Sequence, residues 1–337
     1  MNRNVSDSVL VIHPGGLGDV LLSLQAMVCL RNRHPTDQIV LLAGSNVGSL
    51  LHVCGVVDRT LTTESDDLAS LMSGSEQLSS ALRQLLRRCK LVVGWLKDHD
   101  GSVRATLQQL GIPRIILEPP VPQRGVHQSK RFLDMLKDEH SYHALPAHLV
   151  IPETMRQEGV TVLRTMGIEE GHDFVLCHPG SGSVHKCVRP ETMVGVALNF
   201  QQRGVMPILV SGPADERAVE RVRDLGLRDV PVIRRQRLTA VAGILAQARL
   251  FVGHDSGLTH LAGALQIPTV AIFGPTDLHQ WAPQGDHVSV VTGPPCSCQD
   301  WACVRACEAK PCLSIAAEDI IAASISLLSR YGMATKS

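Results

Sequence analysis

The clearest pattern along the chain is alternation of short apolar runs with amphipathic stretches, broken by turns rich in glycine and polar residues. Within residues 8–13 (SVLVIH) the four central positions are apolar without a break and bounded by polar ones, which predicts a strand buried on both faces. Residues 20–31 carry apolar positions at helical spacing and predict a helix. A second strand is predicted over 38–43, a helix over 78–88, strands over 91–96 and 115–117, and a short helix over 129–137. After residues 144–153, which hold two prolines and no sustained period, the alternation restarts. Helices are predicted over 154–166, 191–203, 214–225 and 258–265, and strands over 174–178, 206–211, 250–252 and 269–273. The last predicted helix, 317–331, has Glu318 and Asp319 in its first turn, where the helix dipole favours anions. Strands alternating with helices imply parallel sheets with crossover connections. The proline-marked join divides the chain into two doubly wound α/β domains facing a central cleft. Their expected bounds are 1–150 and 151–315, with 316–337 a terminal helix returning toward the first domain.

In such sheets ligands bind beyond the carboxyl ends of the strands, and three polar turns of this chain fall there. The most crowded is His254-Asp255-Ser256-Gly257, which opens directly into an apolar helix. A helix cap needs one Asp or Ser; here Asp255, Ser256, Thr259 and His260 occupy six positions. Free backbone N–H groups at a helix start suit an anion. The second turn, from His178 to Lys186, carries Gly180, Ser181, Gly182 and Ser183. Small residues there expose backbone N–H groups, and Lys186 adds a point charge suited to phosphate. It is not a P-loop, because G-x-x-x-x-G-K-[ST] is absent. Nearby, Gly212-Pro213-Ala214-Asp215-Glu216 ends another strand, and Glu216 is placed to accept hydrogen bonds from a ribose. Two anion-receptive turns and a carboxylate in one domain add up to a nucleoside-diphosphate site.

The third turn is His13-Pro14-Gly15-Gly16-Leu17-Gly18-Asp19. Gly16 and Gly18 begin a G-x-G-x-x-G pattern, but Leu21 replaces its last glycine. The second strand ends in Ala43-Gly44 where a dinucleotide site would place an acidic residue. Asp19 lies instead in the first helical turn, where its ionised form is favoured and suits a general base.

Composition narrows the partners. Thirty-two basic and 32 acidic residues give zero formal net charge, and aromatics make up 3%, so neither nucleic-acid electrostatics nor a base-stacking platform is present. The N-terminus has no export-signal pattern and no run approaches the length of about 20 apolar residues that spans a bilayer. A cytoplasmic protein is expected, with peripheral contact at the inner face of the cytoplasmic membrane. Of ten cysteines, five cluster as Cys296, Cys298, Cys303, Cys307 and Cys312. Reduced clusters suggest metal ligands, but no C-x2-C pair is present. A packed thiol-rich loop is the alternative, and no metal or other cofactor is expected to be required.

Three motifs carry a resemblance: G-x-G-D (Gly16 to Asp19), H-P-G with its following lysine (His178 to Lys186), and D-[ST]-G-x-[ST]-H (Asp255 to His260). With Phe273-Gly274-Pro275-Thr276-Asp277, Trp281, Pro283 and the cysteine-bearing tail near Cys312-Leu313, the chain resembles glycosyltransferase family 9, the ADP-heptose:lipopolysaccharide heptosyltransferases, across nearly its whole length. That resemblance implies a GT-B fold with the acceptor bound by the first domain, on the Gly16 and Gly18 side, and the donor by the second. It implies an inverting, metal-independent enzyme moving heptose or a related sugar from an ADP-sugar, ADP-L-glycero-D-manno-heptose, to a lipid-linked lipopolysaccharide-core glycan. Asp19 falls on the base and Lys186 on the donor-phosphate residue. Glu216 falls on a ribose contact, and Asp255, Ser256, Gly257, Leu258 and His260 on the pyrophosphate motif. One departure is local: Lys186-Cys187-Val188-Arg189-Pro190 lacks the family's tryptophan and is one residue longer. Basic residues to grip a phosphorylated acceptor are not matched; Arg59, Arg83, Arg87, Arg88 and Arg124 are candidates. A nucleotide-sugar epimerase or other GT-B enzyme is the alternative on the same scaffold, and a non-catalytic cysteine-cluster protein the alternative outside enzymes.

Overall fold

The computed structural model describes residues 7–73, 78–137, 147–212 and 214–331. Pro213 and residues 144–146 of the expected join lie outside them. The chain divides into two compact units, Met1–Ala147 and His148–Ser337.

The first unit runs β1 (Ser8–Ile12), α1 (Leu17–Leu22), α2 (Leu24–Arg33), β2 (Gln38–Ala43), α3 (Ser45–Val53), β3 (Arg59–Thr62), α4 (Asp66–Met72), α5 (Ser80–Leu86), β4 (Cys89–Trp95), α6 (Ser102–Gln109), β5 (Ile115–Glu118) and α7 (Gln128–Asp134). All pairings are parallel, in the order β3-β2-β1-β4-β5. β1 is buried along its whole length, as a central strand covered by helices on both faces must be. The single helix expected over 20–31 is two. The Ser23 hydroxyl donates to the Val20 carbonyl at 2.7 Å and breaks the helical ladder there.

The second unit continues with α8 (Glu153–Thr165), β6 (Phe174–His178), α9 (Pro190–Gln202), β7 (Met206–Ser211), α10 (Glu216–Val222), β8 (Val232–Arg234), α11 (Leu238–Leu245), β9 (Leu250–His254), α12 (Gly257–Ala264), β10 (Thr269–Phe273), α13 (Leu278–Trp281), β11 (Val288–Thr292), α14 (Trp301–Ala306) and α15 (Ala317–Arg330). Its sheet is again parallel, ordered β11-β10-β9-β6-β7-β8. Counted from β6, the order is that of a dinucleotide-fold sheet, reversing between β6 and β9. In the first unit the reversal falls between β1 and β4.

Helix α15 packs within the second unit. Its buried Ile320, Leu327 and Leu328 join the core that β6, β7, β9, β10 and α9 build, so its apolar stripe is already covered there. Helix α11 was not foreseen, because seven of its eight residues are buried and it shows no polar face.

Helices α8 and α11 cross with their backbones in contact: a Cβ added at Gly243 would lie 2.0 Å from the Met155 carbonyl oxygen. Backbone cannot yield as a flexible side chain does. Gly243→Ala is therefore expected to destabilise the second unit by about 2 kcal/mol or more, read as a lower urea midpoint. An unchanged midpoint would show that the helices separate at no cost.

Candidate active site

Each sheet's reversal point carries one of the polar turns singled out above. In the first unit the turn after β1 holds Gly15, Gly16, Gly18 and Asp19. Gly16 caps α1 and donates its N–H to Asp19 Oδ2 at 3.1 Å, while Asp19 stands half-buried in the first helical turn. The close approach that this glycine run implied is made by the chain itself. A Cβ on Gly15 would lie 2.8 Å from the His13 ring and 2.9 Å from Asp19 Cβ. His13 is fully buried against Trp95 and Phe132, with ring centroids at 5.4 and 5.3 Å, and its Nδ1 accepts the Gly15 N–H at 3.3 Å. Asp19 is thus aimed by a stacked, neutral histidine acting through one glycine. Burial pushes the His13 pKa down to about 4, against smaller upward effects of backbone carbonyls at Asp19 and His13.

The candidate acceptor arginines do not gather near Asp19. Arg59 opens β3, and Arg87 and Arg88 directly precede β4, so these three sit at the amino ends of the sheet. Asp19 lies beyond the carboxyl end of β1. Arg83 spends its Nε on the Leu78 carbonyl at 3.1 Å. Only Arg124, exposed after β5, follows a strand at the Asp19 end.

In the second unit the turns after β6, β7 and β9 meet. Parallel pairing sets His178 beside Gly253, so the 178–186 and 254–257 turns leave the sheet side by side. His178, 2% exposed, spans them. Its Nε2 lies 2.9 Å from Asp215 Oδ2 and its Nδ1 3.2 Å from the Ser256 hydroxyl. An ionised Asp215 only accepts, which places a proton on His178 Nε2. Asp215 also receives the Gly212 N–H at 3.3 Å and closes on Gly180, where a Cβ would fall 2.5 Å from its carboxyl group. Burial raises the Asp215 pKa, but the His178 hydrogen bond and charge, with the Gly212 N–H, more than offset it and leave the carboxyl below its ordinary range. His254, wholly buried, takes the Val188 N–H on Nε2 at 3.1 Å and faces the Gly180 carbonyl with Nδ1 at 3.3 Å. Its pKa is pushed down to about 4, first by burial and then by the His178 charge.

On this frame sit the residues read as donor-binding. Lys186 Nζ lies 2.8 Å from Asp255 Oδ2 and 5.6 Å from the centre of the Trp301 ring. The pair is mostly buried, with side chains 23% and 8% exposed. The Ser181 hydroxyl donates to the Asp255 carbonyl at 2.7 Å. The Ser183 hydroxyl accepts from His185 N at 3.3 Å, and Gly182 faces open space. Gly257 and Leu258 form the half-buried first turn of α12, and His260 is buried one turn further on.

Several roles change on contact with this geometry. Ser256 occupies the cap position but makes no cap bond; its hydroxyl is held by His178 and by Thr259 Oγ1 at 3.2 Å. Thr259, read as a donor contact, is fully buried with its hydroxyl on the His254 carbonyl, so it shapes the turn and presents nothing to a ligand. Glu216 stands at the start of α10 on this side of the sheet, but the exposed guanidinium of Arg235 reaches its Oε1 at 3.2 Å. Asp215 and His13 carry no role in a sequence reading of these turns. The signal available for them was a polar residue beside a wholly apolar strand.

Two doubly wound parallel domains, each with its polar turns at the sheet's reversal point, make up the GT-B architecture of nucleotide-sugar glycosyltransferases. The family model described as "Glycosyltransferase family 9 (heptosyltransferase)" matches residues 59–311, and the chain belongs to that family. It is a glycosyltransferase. The match takes in the donor-side turns, and Asp19 lies before it. The chain is 22% identical over 285 residues to lipopolysaccharide heptosyltransferase 3 of Escherichia coli K12, covering 82% of this chain and 79% of that protein. It is 32% identical over 127 residues to lipopolysaccharide heptosyltransferase 1 of Pseudomonas aeruginosa, covering 38% and 36%. In fold it is similar to a family 9 glycosyltransferase from Veillonella parvula, with TM-score 0.78, 18% identity and coverage of 98% and 99%. The E. coli ADP-heptose LPS heptosyltransferase II gives TM-score 0.76, 17% identity and coverage of 96% and 99%. Among the described residues no helix is long and apolar enough to cross a membrane.

The buried histidines set a pH dependence of stability. His13 and His254 have folded pKa values near 4, below the ordinary 6.5, so the unfolded chain binds protons more readily than the native one. Their stabilisation is complete above about pH 6.5 and is lost as pH falls toward 4, and the lowered Asp215 carboxyl acts in the same direction. The urea midpoint is expected to drop steeply between pH 6.5 and 4, and His254→Gln to flatten that drop. A midpoint constant across this window would contradict the buried neutral histidines.

Proposed function

We propose that this enzyme transfers heptose, or a closely related sugar, from an ADP-sugar to a lipopolysaccharide-core acceptor, with inversion and without a metal ion in the chemical step. The observation that carries the donor half is the Lys186–Asp255 pair, 2.8 Å apart beside the first turn of α12. A helix start offers backbone N–H groups without intrahelical partners, and a partly buried ammonium beside them is a diphosphate receptor. As the glycosidic bond to the diphosphate breaks, negative charge grows on its bridging oxygen. Donors already fixed in place stabilise that charge with little reorganisation. Asp255 holds the Lys186 side chain by its ammonium, and the His178–Asp215 pair holds Ser256 and Gly180 in register.

The acceptor half rests on Asp19. It takes the proton of the acceptor hydroxyl while that oxygen attacks the anomeric carbon from the face opposite the leaving diphosphate, and the configuration inverts. The Gly16 N–H bound to Asp19 Oδ2 favours the carboxylate form that a base requires. The heptose and the lipopolysaccharide acceptor are supported by what the similar heptosyltransferases are named for. Such an acceptor would bring the enzyme to the inner face of the cytoplasmic membrane. An epimerase on the same scaffold would form product without an added acceptor, and family membership favours transfer.

Two variants test the division of labour. Asp19→Asn is expected to lower kcat at least a thousandfold while leaving the dissociation constant for ADP within about twofold; turnover near wild type would remove Asp19 from the chemistry. Lys186→Ala is expected to weaken ADP binding by roughly 10- to 100-fold, the worth of a charge-assisted hydrogen bond, measured by calorimetry. Unchanged ADP affinity would contradict the receptor role.

A further inference from the structure

Between β11 and α15 the chain makes an excursion, 293–316, that the glycosyl-transfer reading does not use. Its helix α14 buries one side chain, Val304, and the excursion's other apolar anchors are Cys312, Leu313 and Ile315. The excursion also carries five thiols. The sulphurs of Cys296, Cys298 and Cys307 lie within 4.8 Å of one another. The Cys312 thiol neighbours Cys296, and the Cys303 thiol neighbours Cys298. All are free thiols. Tetrahedral thiolate ligands with bonds of about 2.3 Å to the metal stand roughly 3.8 Å apart, a spacing that these three sulphurs reach with small side-chain rotations.

The backbone around them is built for anionic sulphur. Lys310, held at φ 41°, turns its N–H onto Cys307 Sγ at 3.4 Å. Asp300 caps α14 by accepting the Cys303 N–H at 2.8 Å, and the Gly293 N–H donates to the Cys312 carbonyl at 3.2 Å, closing the base of the loop. Cys312 is 4% exposed and packs in the same core as Ile315 and Leu313.

We propose that Cys296, Cys298, Cys307 and Cys312 bind one structural zinc or iron ion as a four-thiolate site. Cys303 lies outside the ligand set: it is exposed on α14 and meets Cys298 alone among the three. Four thiols give up four protons as the divalent ion binds, and no electron is transferred. With all four positions filled by protein the ion is closed to substrate, so the site does not bear on the metal-free transfer step. Its consequence is local order. Trp301, between Cys298 and Cys303, lies with its ring 5.6 Å from Lys186 Nζ, and the ion fixes the loop that carries it.

Full-length protein purified under reducing conditions is expected to carry about one zinc or iron per chain by elemental analysis, the two metals told apart by the visible absorption of ferric thiolate. After stripping, added Co2+ should give tetrahedral ligand-field bands and a thiolate-to-metal charge-transfer band at a 1:1 endpoint. Cys298→Ser and Cys307→Ser should lose at least tenfold in metal affinity, and Cys312→Ser likewise. Cys303→Ser, and Cys54→Ser in the other unit, should keep the stoichiometry. Metal removal should change the tryptophan emission of wild type but not of Trp301→Phe. Absence of stoichiometric metal together with no cobalt charge-transfer band would overturn the site. Retention of metal in Cys312→Ser with its loss in Cys303→Ser would overturn the proposed ligand set. Neither readout depends on donor or acceptor identity, so failure here leaves the transferase reading untouched, and failure of that reading leaves this one standing.

Discussion

The second domain's site depends on one buried contact, the 2.9 Å hydrogen bond between His178 and Asp215. A carboxylate and an imidazole taken out of water are costly unless each finds a partner. Here the cost is offset by a network that reaches three turns. Asp215 draws in the β7 turn through Gly212 and closes on the β6 turn at Gly180, and His178 reaches the β9 turn through Ser256. Because every member has a partner across a strand end, none of the three turns can shift alone. The Lys186–Asp255 pair beside α12 is an outer layer on that frame.

The first domain uses the same device with different chemistry. His13 replaces the buried hydrogen bond to a carboxylate by aromatic packing against Trp95 and Phe132, and it acts on Asp19 through Gly15 rather than directly. In both domains a histidine ends a fully buried strand at the sheet's reversal point and stabilises the turn that follows. His13 and His254 are kept neutral by burial, so the turns they support are set by neutral hydrogen bonds whose strength does not change across the neutral pH range.

Much of the fold was legible because buried parallel strands leave an unmistakable trace. The apolar runs at 8–12, 38–43, 91–95, 174–178, 206–211, 250–254 and 269–273 mark the strands that border the two reversal points and their neighbours, and they locate the turns that carry Asp19, Lys186 and Asp255. Three of the four edge strands left no such trace: β3, β8 and β11 are three to five residues long and mostly half-buried, whereas the fourth, β5, was legible at 115–117. α11 hid for the opposite reason, being buried all round and lacking a helical period. Residue types also left the internal partners of these turns unread. Ser256, Thr259 and Ser181 look alike in sequence to groups that face a ligand, but their hydroxyls serve His178, the His254 carbonyl and the Asp255 carbonyl.

The sequence by itself determined the class of the protein: two parallel α/β domains, their turns, and the motifs of a family 9 glycosyltransferase. Those features are local, since the period of apolar residues and the identity of turn residues are readable within about ten positions. Only the tertiary structure decided which polar residues hold the turns and which face outward. It brought Asp215 to His178 across 37 residues, set Lys186 on Asp255 across the β6 and β9 turns, and converged Cys296, Cys298 and Cys307. Partners of this kind are chosen by strand order and crossover, and no periodicity along the chain records which strand lies beside which.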